Sequence, residues 1–433
     1  MRDETAEGDP RDVRPVPTPC AGVARRTKVA DALAILERRI SPLAAEDVAV
    51  TLSAGRVAAC DVNAKVAVPH FARSMMDGYA VVAASTRGAT ELEPRPLTVV
   101  GEVRAGGTNP LSRPLSDGEA LRVTTGAPIP EGANAVLMAE HALPLDATHV
   151  GATRAVEANK HVGPIGEDVA LGSRVVVRGR VLRPQDAGLI ASVGVGELSV
   201  VRRPRVMILV TGDELLRPGE LPHGTRIVDS NSVVLTALAQ RDGAGVVEVA
   251  RLRDGKETLE RALDAVDADV VLLSGGSSVG PEDHAPHVVA ALGELAVHGV
   301  AMRPASPAGF GFLPRARTVF LLPGNPVSCL CAYEFFAGPS IRALGGRSRR
   351  WPHRQVTAPL ATKLASALGR TDYARVTFDA QGRVVPLMTS GASLLRSTTE
   401  ATGAVLVPDD REAYDAGELV TVRLYDEHDE PSR

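Results

Sequence analysis

Three short apolar runs in this chain each end in a turn rich in glycine, serine or proline, and that repeated ending limits the possible folds more than any other feature. The clearest case is Asp269 to Asp283, DVVLLSGGSSVGPED. Val270 to Leu273 are β-branched or aliphatic without a polar interruption, as in a strand covered on both faces. Ser274, Gly275, Gly276, Ser277, Ser278 and Gly280 follow, and such a turn lets backbone N–H groups approach an anion before the next helical pattern starts near Asp283. Arg205 to Thr211 runs into GDEL in the same way, and Val319 to Leu322 into PGNPVS. Buried strands with this ending place a ligand site at the carboxyl edge of a parallel sheet.

The surroundings of these strands fit a doubly wound α/β sheet, because strand and helix patterns alternate from about Val200 to Gly346. Ser230 or Asn231 opens a helix that stops near Gly243. Val246 to Leu252 read as a strand, Lys256 to Val266 as a helix, Ala285 to Leu292 as another helix, and Val297 to Met302 as a strand. Pro326 suits the first position of the last helix. A chain of 433 residues has room for two to four domains at roughly 150 residues each. Upstream, Thr27 to Arg38 place Val29, Leu33 and Leu36 on one helical face with Thr27 as a cap. PQDAGLIASVG, with Pro184 near the first turn and Gly194 past the end, reads as a second helix expected to return beside the first. Residues 66–161 read as a small β-rich domain, residues 27–65 with 162–199 as a discontinuous mixed domain, and residues 347–433 as a C-terminal β-barrel built from ARVTF, VVPLM, AVLVP and LVTVRL. The first 26 residues, charged and proline-rich, read as a disordered tail.

Composition excludes some partners. Aromatic residues are only 3% of the chain, too few for a single-stranded nucleic-acid surface of stacked rings, and a net charge of −4 gives no general attraction for a polyanion. No apolar run approaches the 18 residues of a membrane span, and the amino terminus has no apolar signal core. Cys20, Cys60, Cys329 and Cys331 form no C-x-x-C pair, so a reducing cytoplasm is the simplest expectation. Cys329 and Cys331, spaced C-x-C in a helical run, read as two buried small side chains. Asp283, His284 and His287 have the spacing of a transition-metal site, but an acid at a helix start with polar neighbours is the plainer account. The Asp-Gly pair inside SMMDGYA, residues 74 to 80, reads as a tight turn entering the strand Tyr79 to Val82.

Four motifs stand in order along the chain: SMMDGYA at 74–80, TGAPIPEGANAVLM at 125–138, TGDEL with DSN at 211–215 and 229–231, and SGGSSVGPED with LPGNPVS at 274–283 and 322–328. Together they resemble the molybdopterin molybdenumtransferases, the molybdenum-insertase family that includes gephyrin-like domains. The resemblance implies a homodimer that takes adenylylated molybdopterin and molybdate, cleaves the phosphoanhydride with a divalent metal, usually magnesium, and releases AMP. On the matching positions it implies catalytic roles for Asp77, Asp168, Glu214, Asp254 and Asp283, with Asp77, Glu214, Asp254 and Asp283 as magnesium ligands. It assigns pterin and phosphate contacts to Thr125, Thr211, Gly212, Asp213, Ser274, Gly275, Gly276, Ser278, Gly280, Arg303, Pro323, Gly324, Asn325 and Pro326. Asp168 is expected to act across the dimer cleft. The chain also departs from the pattern: Gly163, Gly299 and Ser306 stand where the family carries cations, and Arg73 or His70 is the candidate to compensate. A non-catalytic molybdopterin carrier that kept the scaffold is the alternative expectation. It is disfavoured because all five acids are present.

Overall fold

The computed structural model describes residues 26–276, 283–388 and 393–425. The expected tail lies outside them as far as residue 25. The chain divides into two compact units, one of residues up to Ala44 and from Arg202 on, the other Ala45–Val201.

The Ala45–Val201 unit holds a six-stranded sheet in the order Ala135–Met138, Gly78–Val81, Glu119–Val123, Arg95–Val103, His149–Ala152, Ala142–Pro144. Alternation in these strands sends Val81, Leu97, Ala120 and Leu137 into one apolar cluster and Ala80, Val103, Leu121 and Val136 into another, so both faces of the sheet are covered. The rest of this unit pairs Ala45–Ala49 with Glu197–Val201 and Val62–Asn63 with Arg174–Val176. Against these strands packs the helix Pro184–Ser192, which begins at its proline and carries Ile190 into a core with Leu182 and Val200. The Asp186 carboxylate accepts the Arg183 N–H at 2.9 Å and so supplies one of the acceptors that the helix start needs.

The other unit is organised on a sheet in the order Val246–Leu252, Arg205–Thr211, Val270–Ser274, Arg317–Leu322, Gly309–Leu313, Glu294–His298. Its first four strands are parallel and its last two antiparallel, so the sheet is mixed instead of wholly parallel. Every residue of Val270–Ser274 is buried. Helices Asn231–Arg241 and Lys256–Ala265 connect parallel strands, and Ala285–Leu292 leads from Val270–Ser274 to the edge strand Glu294–His298. Burying each large aliphatic side chain contributes about 1.5–3 kcal/mol, and the two faces of the sheet bury separate clusters, one around Ile208, Leu272 and Phe320 and one around Leu209, Leu273 and Leu321.

Three sequence expectations are corrected. The strand expected at Val297 to Met302 ends at His298, because Gly299 turns the chain with φ +85°; pairing resumes at Met302–Arg303, against a different sheet. Gly309–Leu313 is a strand that its glycines hid: a Cβ on Gly309 or Gly311 would lie 2.5 Å from Val297 O or 2.4 Å from Glu294 O, so close strand approach demands glycine there. The first helix, Val29–Arg39, belongs to the compact unit of the central sheet and not to the unit that holds Pro184–Ser192. Its stripe of Val29, Ala32 and Leu36 is buried with Phe310, Phe336 and Ile341, which offer a larger apolar surface. Lys28, not Thr27, stands at its N-cap, while Thr27 donates to Gly299 O at 3.0 Å.

The C-terminal strands Thr371–Phe378, Gly403–Val407, Leu419–Leu424 and Gln355–Pro359 run side by side, with Val384–Met388 on the far edge of the first. Val376, Val384, Val405 and Val422 fill their core. Among the described residues no helix is long and apolar enough to cross a membrane.

Candidate active site

In the Ala45–Val201 unit the SMMDGYA turn is held tightly. Ser74 is buried; its hydroxyl donates to Met76 O at 2.6 Å, and its backbone exchanges hydrogen bonds with Gly126 and Ala127. Gly78 lies against the neighbouring strand, where a Cβ would come within 2.0 Å of Leu137 O, so only glycine fits. The outcome is an exposed Asp77 whose Oδ1 accepts the Thr125 N–H at 2.7 Å and the Thr125 hydroxyl at 2.9 Å. The backbone N–H, and then the hydroxyl, hold the Asp77 carboxyl below the usual carboxylate range. Two of the four motifs thus meet in one carboxylate–threonine pair. Asp168 is exposed, with its N–H donated to Val68 O at 3.0 Å.

Gly163 shows how this unit handles its missing cation. A Cβ at Gly163 would lie 3.2 Å from Arg73 Cγ and 3.3 Å from Arg73 Nε, so the Arg73 side chain fills the space that a side chain at 163 would use. The Arg73 guanidinium faces Glu167 at 3.4 Å and stays exposed.

In the other unit the motifs gather at the carboxyl edge of the central sheet. Arg205–Thr211 leads through one helix to a strand on one side of it, and the next strand, Val270–Ser274, lies on the other side. That reversal is a topological switch point and sets the Thr211–Gly212 and Gly275–Gly276 turns side by side, the place where open α/β sheets take ligands. Gly275, at φ +98°, packs so closely that a Cβ would be 2.4 Å from Thr211 O. Its N–H donates to Leu322 O at 3.3 Å, which fastens this turn to the PGNP loop. Asn231 completes the frame: its amide donates to Ser274 Oγ at 2.9 Å and to Gly324 O at 2.8 Å. From sequence Asn231 reads only as a helix start. The DSN motif was the signal of this second role.

Around these turns the acids are exposed. Asp254 accepts the Asp213 N–H at 3.1 Å, and the Glu214 carboxylate lies over Gly212, with Oε2 2.7 Å from the position of a Cβ there. Glu214 and Asp254 therefore flank the same Gly212–Asp213 turn. Asp283 lies just before the helix Ala285–Leu292 and is half-buried, with His284 at the N-cap. An open cleft of about 170 Å³ adjoins the Gly212–Asp213 turn and is lined also by Arg251 and Arg253, which the sequence reading missed. Arg251 Nη2 is aimed by the buried Asp229 at 3.1 Å.

Pro323 is buried, Gly324 and Asn325 are exposed, and Pro326 starts the helix Pro326–Ala332; Asn325 Oδ1 accepts the Ser393 hydroxyl at 2.9 Å. The Arg303 guanidinium pairs at 2.7 Å with Asp372, which is 3% exposed and also holds Arg370 at 2.9 Å. Cys329 and Cys331 are buried, and burial pushes the Cys329 thiol up to about 12. Ser278 and Gly280 lie outside the described residues, and among the described residues no group of three or more His, Cys, Asp or Glu gathers as a metal cluster.

A mixed sheet with its glycine turns and exposed acids at the carboxyl edge, joined to further β-rich parts, defines a multidomain α/β protein with a phosphate-type ligand crevice. Comparison with known proteins makes this specific. The profile of the MoeA N-terminal region (domain I and II) matches residues 27–194, that of a probable molybdopterin binding domain 207–343, and that of the MoeA C-terminal region (domain IV) 357–425. Molybdopterin molybdenumtransferase 2 of Mycobacterium tuberculosis is 36% identical over 381 residues, covering 84% of this chain and 91% of that protein. A putative molybdopterin biosynthesis protein of Methanocaldococcus jannaschii is 32% identical, covering 88% and 92%. The crystal structure of the MoeA molybdopterin biosynthesis protein from Pyrococcus horikosii superposes with a TM-score of 0.80 at 30% identity, covering 93% and 99%. This chain belongs to the MoeA family of molybdopterin molybdenumtransferases.

Proposed function

We propose that this protein transfers molybdenum from molybdate onto adenylylated molybdopterin with release of AMP. The observation that carries the reading is the cleft at the Gly212–Asp213 turn, flanked by Glu214 and Asp254, carboxylates that meet no cation among the described residues. The glycines of the turns at 211–213 and 274–276 carry no side chain and so let a phosphoanhydride approach the backbone closely. Asn231 ties the 274–276 turn to the PGNP loop, so these two segments need little reorganisation on binding. Asp77 stays ionised because Thr125 holds its charge. Asp168 is proposed to serve the same chemistry across a dimer cleft.

The donors at Glu214, Asp254, Asp77 and Asp283 are all hard oxygens, which suit magnesium, an ion commonly held by one or two carboxylates with waters and substrate phosphates. A magnesium ion there would neutralise charge on the phosphates as the anhydride breaks. Thr125, Thr211, Asp213, Ser274, Gly275, Gly276, Gly324 and Asn325 are proposed to contact the pterin nucleotide, with Pro323 and Pro326 shaping the loop. Ser278 and Gly280 are proposed to extend the same turn. Arg303 is proposed to contact the ligand as well, since its partner Asp372 is shared with Arg370 and does not cancel both charges. Arg73 is proposed to supply the cation that Gly163 lacks, and this disfavours the carrier alternative.

A homodimer in the cytoplasm is proposed as well; exposed Ile165 and Leu171 support an association surface. The C-terminal sheet is proposed to close into a barrel, supported by the Ala361 N–H to Val384 O bond of 2.8 Å between its outer strands. The domain limits are proposed as 45–65 with 162–201, 66–161, 202–346 with the first helix, and 347–433. Purified protein mixed with adenylylated molybdopterin, magnesium and molybdate tests the function: molybdate-dependent AMP release is expected, and tight pterin binding without AMP release would favour the carrier. Light scattering tests the dimer, with a monomeric mass counting against it.

A further inference from the structure

A second cleft, of about 280 Å³, opens at the amino edge of the central sheet and is lined by Arg202, Arg205, Asp267, Asp269, Arg315 and Arg317. It lies roughly 20 Å from the glycine turns, the length of a strand of about seven residues. Both carboxylates are already engaged. Arg202 grips Asp269 with two nitrogens at 2.9 and 2.7 Å, and Arg205 Nη1 donates to Asp267 at 2.7 Å.

Arg317 is the group left over. It is 7% exposed, and its Nε donates to Pro314 O at 3.0 Å while Nη1 donates to Leu263 O at 2.7 Å and Val266 O at 3.1 Å. Carbonyl dipoles satisfy these N–H groups but do not neutralise a full charge, and among the described residues no carboxylate pairs with Arg317. Arg315 stands exposed in the turn just before it, also without a carboxylate partner among the described residues. Four guanidinium groups against two carboxylates leave an excess of two positive charges around one concavity. Guanidinium forks match the edges of a tetrahedral oxyanion.

We propose that this cleft is an anion site for a tetrahedral dianion of the phosphate class, separate from the carboxyl-edge crevice. The bound anion is the counter-ion of Arg317, and it ties together the segment before the first parallel strand, the link Val266–Asp269 and the turn at 314–316. Free phosphate and molybdate share this chemistry.

The full-length protein, titrated with sodium phosphate and separately with sodium molybdate against chloride at constant ionic strength, tests the site through Tm and calorimetry. Phosphate is expected to raise Tm by a few degrees and to saturate. Arg315→Glu is expected to raise the half-saturating concentration roughly tenfold or more, Arg315→Lys to retain much of the binding, and Asp77→Asn to leave it unchanged. Arg205→Gln provides a second variant should Arg315→Glu fold poorly, and it is expected to weaken binding in the same direction. Whichever anion saturates at the lower concentration identifies the source. An unsaturable rise, or the same half-saturation in the wild type, Arg315→Glu and Arg205→Gln, would overturn the proposal.

Discussion

The exposed acids of the motifs and the buried acids around Tyr333 have opposite surroundings. Asp77, Glu214 and Asp254 are exposed, and the hydrogen bonds of Asp77 and Asp254 come from backbone N–H groups and one hydroxyl. Asp242 and Glu334 are buried and enclosed by arginine: Arg342 reaches Asp242 at 2.7 Å, and Arg241 reaches Glu334 at 2.7 Å and Asp242 at 2.9 Å. Tyr333 adds a hydroxyl to Asp242 at 3.0 Å. A buried charge demands pairing, so the second group has spent its charge on structure. The first group meets no cation among the described residues, and the proposed function uses its charge for a ligand. Acidity alone does not separate the two groups; pairing with arginine does.

The largest test of that contrast is Asp77→Asn or Glu214→Gln. Each is expected to cut molybdate-dependent AMP release by roughly 10²- to 10³-fold, the scale of losing one preorganised electrostatic group. Tm should stay within a degree or two, because no core volume or buried pair is lost. A Tm drop comparable to that of a core variant would place these acids with the structural group. Next in size, Glu334→Gln leaves Arg241 and His353 without their anion and is expected to cost about 3–5 kcal/mol in urea unfolding, with the folded fraction still active.

The same pair predicts a pH response. Burial works to raise Glu334, yet the His353 ring at 3.4 Å and the Arg241 guanidinium outweigh it and hold the carboxyl at about 2. Its folded value is depressed, so its contribution is complete above the ordinary glutamate range and is lost as pH falls toward 2. Urea midpoints of the wild type should therefore decline over that window more steeply than those of Glu334→Gln. Gly275→Ala comes third: its positive φ and the 2.4 Å approach to Thr211 O predict a loss of about 1–3 kcal/mol together with weaker pterin binding, measured by calorimetry. The smallest effect is expected for Thr125→Val, which removes one hydrogen bond from Asp77. It should move the acidic limb of the pH–rate profile upward and leave Tm nearly unchanged.

Much of this was legible in the residues. The strand at 270–274, the helices at 184–192, 256–265 and 285–292, and the glycine turns at the carboxyl edge follow from apolar runs, proline starts and glycine stops, signals that lie within a few residues of one another. Asn231 and Arg251 were not legible as site residues, because their partners Ser274, Gly324 and Asp229 are brought near only by the sheet. The pairing of Arg303 with Asp372, 69 positions away, was not legible either, because nothing in sequence announces it.

The amino-acid sequence by itself determined where the parallel strands run and how they end, because backbone preference and apolar burial act locally and repeat at each strand. Tertiary structure alone decided which acids stay unpaired, which face receives the first helix and that Arg73 fills the space beside Gly163. Those outcomes depend on charges and apolar surfaces distant in sequence, whose energies are set only when the packed chain brings them within a few ångströms.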